Sequence, residues 1–415
     1  MNSPLPPISG ECHPVVAPTP VRGGRSTAPD LARGLMLALI AVANVPYFIL
    51  GRPHVAGAHA QSDNPADLVA QTLTIAGVDS RVYPMFAFLF GYGIVQLYRR
   101  QLASGAEPAT ARRLLRRRHW TMLLFGLVHA ALLWHGDILG TYALAGLVLV
   151  WLFLKRSDRS LKVWAGVFLA VPALLVVAAF VGAAMGAGST VGGGGIGSSG
   201  PLDTNGAQGY FNAMGVRLEA WGFYTIPVAL FTMIVPAAIL LGMVAARRRL
   251  LDEPADHVPL LKRIAAIGLT VGWGTGLLQA LQNLEVLGLD RTFESVFTPL
   301  HMLGGFFGGI GYIAVFGLIS VRLERLRESP RPGSFTWAVQ ALGKRSLTGY
   351  LCQSLIFSPI FAAWGLGLGE HLSSWSAVVL AFVAWLVGLL VAAKLEGAGH
   401  RGPAEWALRR VAYPK

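Results

Sequence analysis

Long apolar stretches separated by short polar connections dominate the chain. Runs able to cross a hydrocarbon core of about 30 Å recur at 31–50, 82–98, 119–135, 137–154, 161–186, 221–246, 262–284, 296–319, 346–364 and 374–394. A backbone at that depth must pair its own amides, and helices are the open-chain way to do so. The pattern therefore predicts an all-α, polytopic transmembrane bundle of about ten helices over residues 30–395. The third and fourth runs meet at a very short turn, His135-Gly136-Asp137.

Three segments fall outside this pattern. Residues 1–29, with Pro4, Pro6, Pro7, Pro14, Pro18 and Pro20, read as a flexible tail. This polar stretch is too long for a signal-peptide n-region, so the run after it reads as an uncleaved first helix. Residues 186–209 read as a Gly/Ser-rich outer loop. The Gly195-x-Gly197-x-x-Gly200 spacing there has no strand before it and no helix after it, so it is not a dinucleotide site. Residues 396–415 form a C-terminal tail.

Charge adds orientation. Alternating the connections leaves Arg52, Arg81, Arg217 and Arg291 on one side and the other 30 of the 34 Lys and Arg opposite. Basic connections stay in the cytoplasm, so both termini are expected there, in a bacterial inner membrane. Composition agrees, with 54% hydrophobic and 13% charged residues and mean hydropathy +0.55; soluble domains carry about 25% charged residues. The net charge of +13 is explained by this asymmetry, so no nucleic-acid partner is expected; the partner is the bilayer. The run Arg112–His119 reads first as a topology signal, and otherwise as a site for anionic lipid or a cofactor's phosphates. Cys12 and Cys352 lie far apart and offer neither a disulfide framework nor a metal spacing.

Polar side chains at depth mark where chemistry would sit. Toward the outer ends lie Asn44, Arg81, His129, His135, Asp137, Thr141, Tyr142 and His301; toward the inner ends lie Asp30, Arg33, Gln96, Lys344, Thr348 and Gln353. His129 and Asp137 flank one tight hairpin, and a carboxylate beside an imidazole fixes its tautomer and stabilises its cation. The pair has a plainer reading as well, with Asp137 capping the next helix and His129 bonding a neighbour. Arg33 has a snorkelling reading beside Asp30, one turn back. Gly304, Gly305, Gly308 and Gly309 read as a helix-packing face.

The stretch Asp30-Leu-Ala-Arg33-Gly34 leading to Asn44 resembles the first helix of the YeiB-like membrane proteins, a domain of unknown function. Phe86 to Gly93, His129 to Gly146, Leu342 to Ser354 and Gly402 to Trp406 extend the resemblance over nearly everything after the tail. Lys344 stands where the family has Arg, and Gly349 where it has Asn. The resemblance implies a fold shared with the acyltransferase-3 and heparan glucosaminide acetyltransferase enzymes. Those take an acyl group from a cytosolic thioester such as acetyl-CoA to a glycan or other envelope acceptor. It also implies a catalytic His on helix one, where this chain carries Asn44. His129 with Asp137 is the substitute catalytic pair. Asn44, Arg81, Tyr142, His301 and Gln353 are substrate-binding candidates, and Arg33 and Lys344 donor-binding or structural ones. A small-solute transporter and a non-catalytic binding protein are the competing readings.

Overall fold

The computed structural model describes residues 28–53, 58–186, 204–289, 291–325 and 333–412, without the side chains of 231, 291–295 and 324. Most of the predicted N-terminal tail and of the Gly/Ser-rich outer loop lie outside these residues. Fourteen α-helices run through the described chain: α1 Ala28–Asn44, α2 Pro65–Gly77, α3 Val82–Ala103, α4 Pro108–Leu132, α5 Ile138–Phe153, α6 Asp158–Ala184 and α7 Tyr210–Phe231. They continue as α8 Ile234–Arg247, α9 Val258–Asn283, α10 Arg291–Arg325, α11 Phe335–Lys344, α12 Ser346–Phe361, α13 Ser374–Gly397 and α14 Pro403–Ala412. The molecule is an all-helical membrane protein.

Each of the ten predicted apolar runs falls on helix, but fewer than ten helices cross by length and apolarity. Six stretches of the described chain qualify: Ala28–Phe48, Pro65–Ala103, Asp158–Ala184, Pro254–Asn283, Val296–Leu323 and Ser374–Gly397. A seventh forms if α7 and α8, bent by 52° at their junction, count as one span. The remaining runs fall short for local reasons. Helix α4 starts eleven residues before its apolar run and carries Arg112, Arg113, Arg116, Arg117 and Arg118 in its first half, while α5 and α12 have 16 residues each.

Small residues set the packing. Gly91 of α3 lies against the Ile239 backbone of α8, and Gly242 of α8 against the Phe88 backbone of α3, so the two helices cross with no side chain between them. Gly268 and Gly272 of α9 meet Gly311 and Gly308 of α10 in the same way. The glycine face predicted on α10 is thus a packing face. Helix α1 sits inside the bundle against α3, α10, α11, α12 and α13. Helices α6, α9 and α13 turn Leu174, Phe180, Leu277, Phe382 and Leu390 outward, as helices bathed in lipid do.

The bundle has two unlike ends. At one, Arg99 of α3 donates to the carbonyls of Ala246 and Arg247 at 2.9 and 2.8 Å, and Arg247 donates to Leu154, Arg156 and Asp158. Lys344 and Arg345 meet Glu396 there at 2.5 and 2.6 Å. The C-terminal segment is docked rather than loose, because Glu405 of α14 accepts from the Leu347 and Thr348 amides and the Thr348 hydroxyl. The opposite end holds a chamber.

Candidate functional site

A cavity of about 440 Å³ opens among the ends of α1, α3, α5, α9 and α10 and the junction of α7 with α8. One ion-pairing couple in its wall was not among the residues that sequence reasoning selected. His59 Nε2 lies 2.7 Å from Asp79 Oδ2, and both residues line the cavity. His59 is 3% exposed, and its Nδ1 has no hydrogen-bond partner. A carboxylate takes a donor, so Nε2 carries the proton and Nδ1 keeps a lone pair.

Two local devices hold this pair in place. The segment carrying His59 is tied down by Gln71 of α2, whose Nε2 donates to Ala60 O at 2.7 Å and to Ser374 Oγ at 2.8 Å. Helix α2 exists there because Asn64 caps it, accepting from the Ala66 amide at 2.9 Å with Pro65 in the first turn. Asp79 rides on a tight turn closed by Ser80 at φ 61°, a left-handed conformation uncommon outside glycine. Arg81 locks that turn from behind. It is fully buried and donates to the carbonyls of Ile75, Asp79 and Gly272. Gly276 and Gly308 leave the space its side chain needs.

Other predicted residues converge on the same chamber. Asn44, Asp137, Tyr142 and His301 all line it. The His301 ring lies beside the Thr275 backbone and makes no side-chain hydrogen bond. The Tyr142 hydroxyl donates to Tyr83 O at 2.8 Å, and its ring stacks on Phe86 at 5.0 Å. His135 lines the wall as well, with Nδ1 2.9 Å from Thr204 Oγ1.

His129 and Asp137 do pair, at 2.9 Å and almost wholly buried. Asp137 also accepts from the Gly140 amide at 2.6 Å, so it caps α5 as well. Gly126 lies so close that a Cβ there would meet the Asp137 carboxylate. His129 sits behind Asp137, its ring 5.2 Å from that of Tyr350, and is not part of the chamber lining.

The other candidates lie elsewhere. Arg81 supports the chamber from outside its lining. Gln353 donates to Leu37 O at 2.8 Å and joins α12 to α1. Arg33 pairs with Asp30 at 3.2 Å, and Lys344 with Glu396, both toward the basic end. Among the described residues no cluster of three or more His, Cys, Asp or Glu could hold a metal ion.

Residues 245–415 match the family model described as a protein of unknown function, DUF418. YxaH of Bacillus subtilis (strain 168) is 26% identical over 404 residues, covering 92% of this chain and 93% of that protein. YeiB of Escherichia coli (strain K12) is 25% identical over 343 residues, covering 79% and 80%. Both are described as uncharacterized proteins.

The chain is similar to the YeiB-like proteins, and its C-terminal part matches the DUF418 model.

No solved structure matches it. Within the chamber the family model covers His301 and Gln279, whereas His59, Asp79 and Asp137 precede residue 245.

His59 and Asp79 escaped sequence reasoning because they lie in the polar connection between the first two apolar runs. The available signal was a long connection, 51–81, rich in titratable residues, with Asp79 and Arg81 at its end.

Proposed function

We propose that this YeiB-like protein is a membrane acyltransferase, with the chamber as its acceptor site and His59 as its general base. One observation carries the reading. His59 is held at 2.7 Å by Asp79 and presents a free ring nitrogen inside a chamber of ligand size. Nδ1 takes the proton of an acceptor hydroxyl while its oxygen attacks the carbonyl of an acyl thioester such as acetyl-CoA. The new C–O bond forms, the C–S bond breaks, and the proton returns to the leaving thiolate. Tyr83 and Asn44, both in the lining, are the donors available to the developing oxyanion. Asp137 with His129 shapes the wall through α5. In this reading the basic end faces the cytoplasm of a bacterial inner membrane, with both termini there, and the chamber opens outward toward a glycan or other envelope acceptor.

The test uses purified protein in proteoliposomes with labelled acetyl-CoA and envelope extract. Label should pass to the acceptor, and His59→Ala should lower the rate by about 10²–10⁴-fold. Donor-dependent labelling unchanged in His59→Ala would overturn the reading.

One feature favours a transporter as the second reading. The 52° break between α7 and α8 borders the chamber at Thr232, and interrupted helices beside a central site are a transporter feature. Uptake of solute into vesicles without an acyl donor would select it.

A further inference from the structure

The chamber wall carries a polar group of residues around His59, Asp79 and His301 and an apolar group around Ile40, Phe86 and Val228. Depth is fixed by the helices themselves. Helix α3 runs from Asp79 at the chamber to Arg99 at the basic end, and the C-terminus of α5 is capped there by Arg247. On the α3 segment the lining passes from Asp79 to Phe86, two turns deeper. On α5 it passes from Asp137 to Tyr142, whose hydroxyl is occupied by Tyr83 O, so that its ring faces the cavity. Helix α10 places Thr298 and His301 above Met302, and α1, running the opposite way, places Asn44 above Ile40. The rings of Phe86 and Tyr142, 5.0 Å apart, lie at the floor, and Phe90 packs on Tyr142 at 5.9 Å outside the lining.

The upper level also holds polar atoms with no protein partner. They are His59 Nδ1, Tyr83 Oη and Gln279 Oε1, all buried, with the His301 ring beside them leaving at least one nitrogen open. Both donors and acceptors are represented. Native interiors satisfy such groups in the great majority of cases, so the set is matched by a ligand end rich in hydroxyls. At the floor the hydroxyls of Thr141, Tyr142 and Thr232 already donate to backbone carbonyls, so the main gain there is covering apolar surface.

We infer that the chamber takes an amphiphile, with a polyhydroxylated head held among His59, Gln279 and His301 and an apolar chain descending onto Phe86 and Val228. The inference deepens the acyl-transfer reading by naming the acceptor as a chain-bearing polyol rather than a free sugar. Val228 belongs to α7, whose Phe223 and Ile226 face outward, so one helix separates the chamber from the surrounding lipid.

The probes are n-alkyl β-glucosides from butyl to octyl, below their critical micelle concentrations. They are titrated calorimetrically into the protein in nanodiscs without acyl donor. The dissociation constant should fall about fourfold per added methylene and then level off once the floor is reached. Val228→Trp should bring that plateau to shorter chains, and Phe86→Ala should move it to longer ones. Two substitutions of opposite sign keep the test decisive if one variant fails to give a monodisperse protein. Affinity independent of chain length, or a plateau unmoved by both variants, would overturn the inference and leave partition into the bilayer as the explanation. Because no donor is present, the two proposals fail separately. A chain-length plateau without acyl transfer would sink the reaction and keep the ligand class. Acyl transfer to free sugars without chain-length dependence would do the reverse.

Discussion

The basic end and the chamber end are built from the same kinds of side chain and use them differently. At the basic end the Arg99, Arg247, Lys344 and Arg345 cations meet carbonyls or carboxylates, and Glu405 accepts three bonds from the start of α12. These groups join helix ends. At the chamber end the buried polar atoms of His59, Tyr83, Gln279 and His301 are left open toward the cavity. Burying a polar group without a partner costs free energy, and at this end several such groups gather around one cavity. The contrast separates residues whose loss should unfold the protein from residues whose loss should silence it.

After His59→Ala, replacing Asp79 by Asn gives the largest expected effect on function. The amide no longer stabilises an imidazolium at His59, and acyl transfer should fall about 10²-fold or more while the melting temperature holds. Arg345→Ala should do the opposite. It removes bonds to Ala341 O, Glu396 and His400 O and should cost about 3 kcal/mol in chemical denaturation, with turnover per folded molecule preserved. Gly91→Ala forces a methyl into the Ile239 backbone and should cost about 2 kcal/mol by overpacking, read as a lower melting temperature in detergent. Asn64→Ala strips the cap from α2 and should cost about 1 kcal/mol, with faster hydrogen exchange confined to α2. Arg116→Ala, on the exposed face of α4, should stay within about 0.5 kcal/mol of wild type. A large loss there would show that the basic surface is more than a set of solvated charges.

Much of the architecture was legible in the sequence, for reasons that particular elements make clear. Apolar run length places helix on α6, α9, α10 and α13 because lipid rewards uninterrupted hydrophobicity. Asp137 was legible as a cap because the His135-Gly136-Asp137 turn is too short for anything else, and the carboxylate does accept from Gly140. Helix α2 was hidden because its amphipathicity is inverted. Val69 and Leu73 are 60% and 62% exposed, while Asp67 and Gln71 are buried, so the apolar-inside rule misreads it as a polar connection. That same inversion carries His59 and Asp79 to the chamber. The break between α7 and α8 was not read from the sequence although Pro236, in the first turn of α8, offered a signal; the chain turns there on Met233 at φ 59°. Asn44, Tyr142 and His301, selected as polar groups at depth, line the chamber. Arg33, Lys344 and Gln353 were selected in the same way and lie elsewhere, because a polar group can also join two helices.

The most direct measurement compares His59→Ala with Arg345→Ala in one reconstituted preparation, recording acyl-transfer rate and unfolding midpoint for each. The account predicts that His59→Ala loses the reaction and keeps the midpoint, and that Arg345→Ala lowers the midpoint and keeps the reaction. A His59→Ala protein that unfolds earlier yet transfers at the wild-type rate would contradict it.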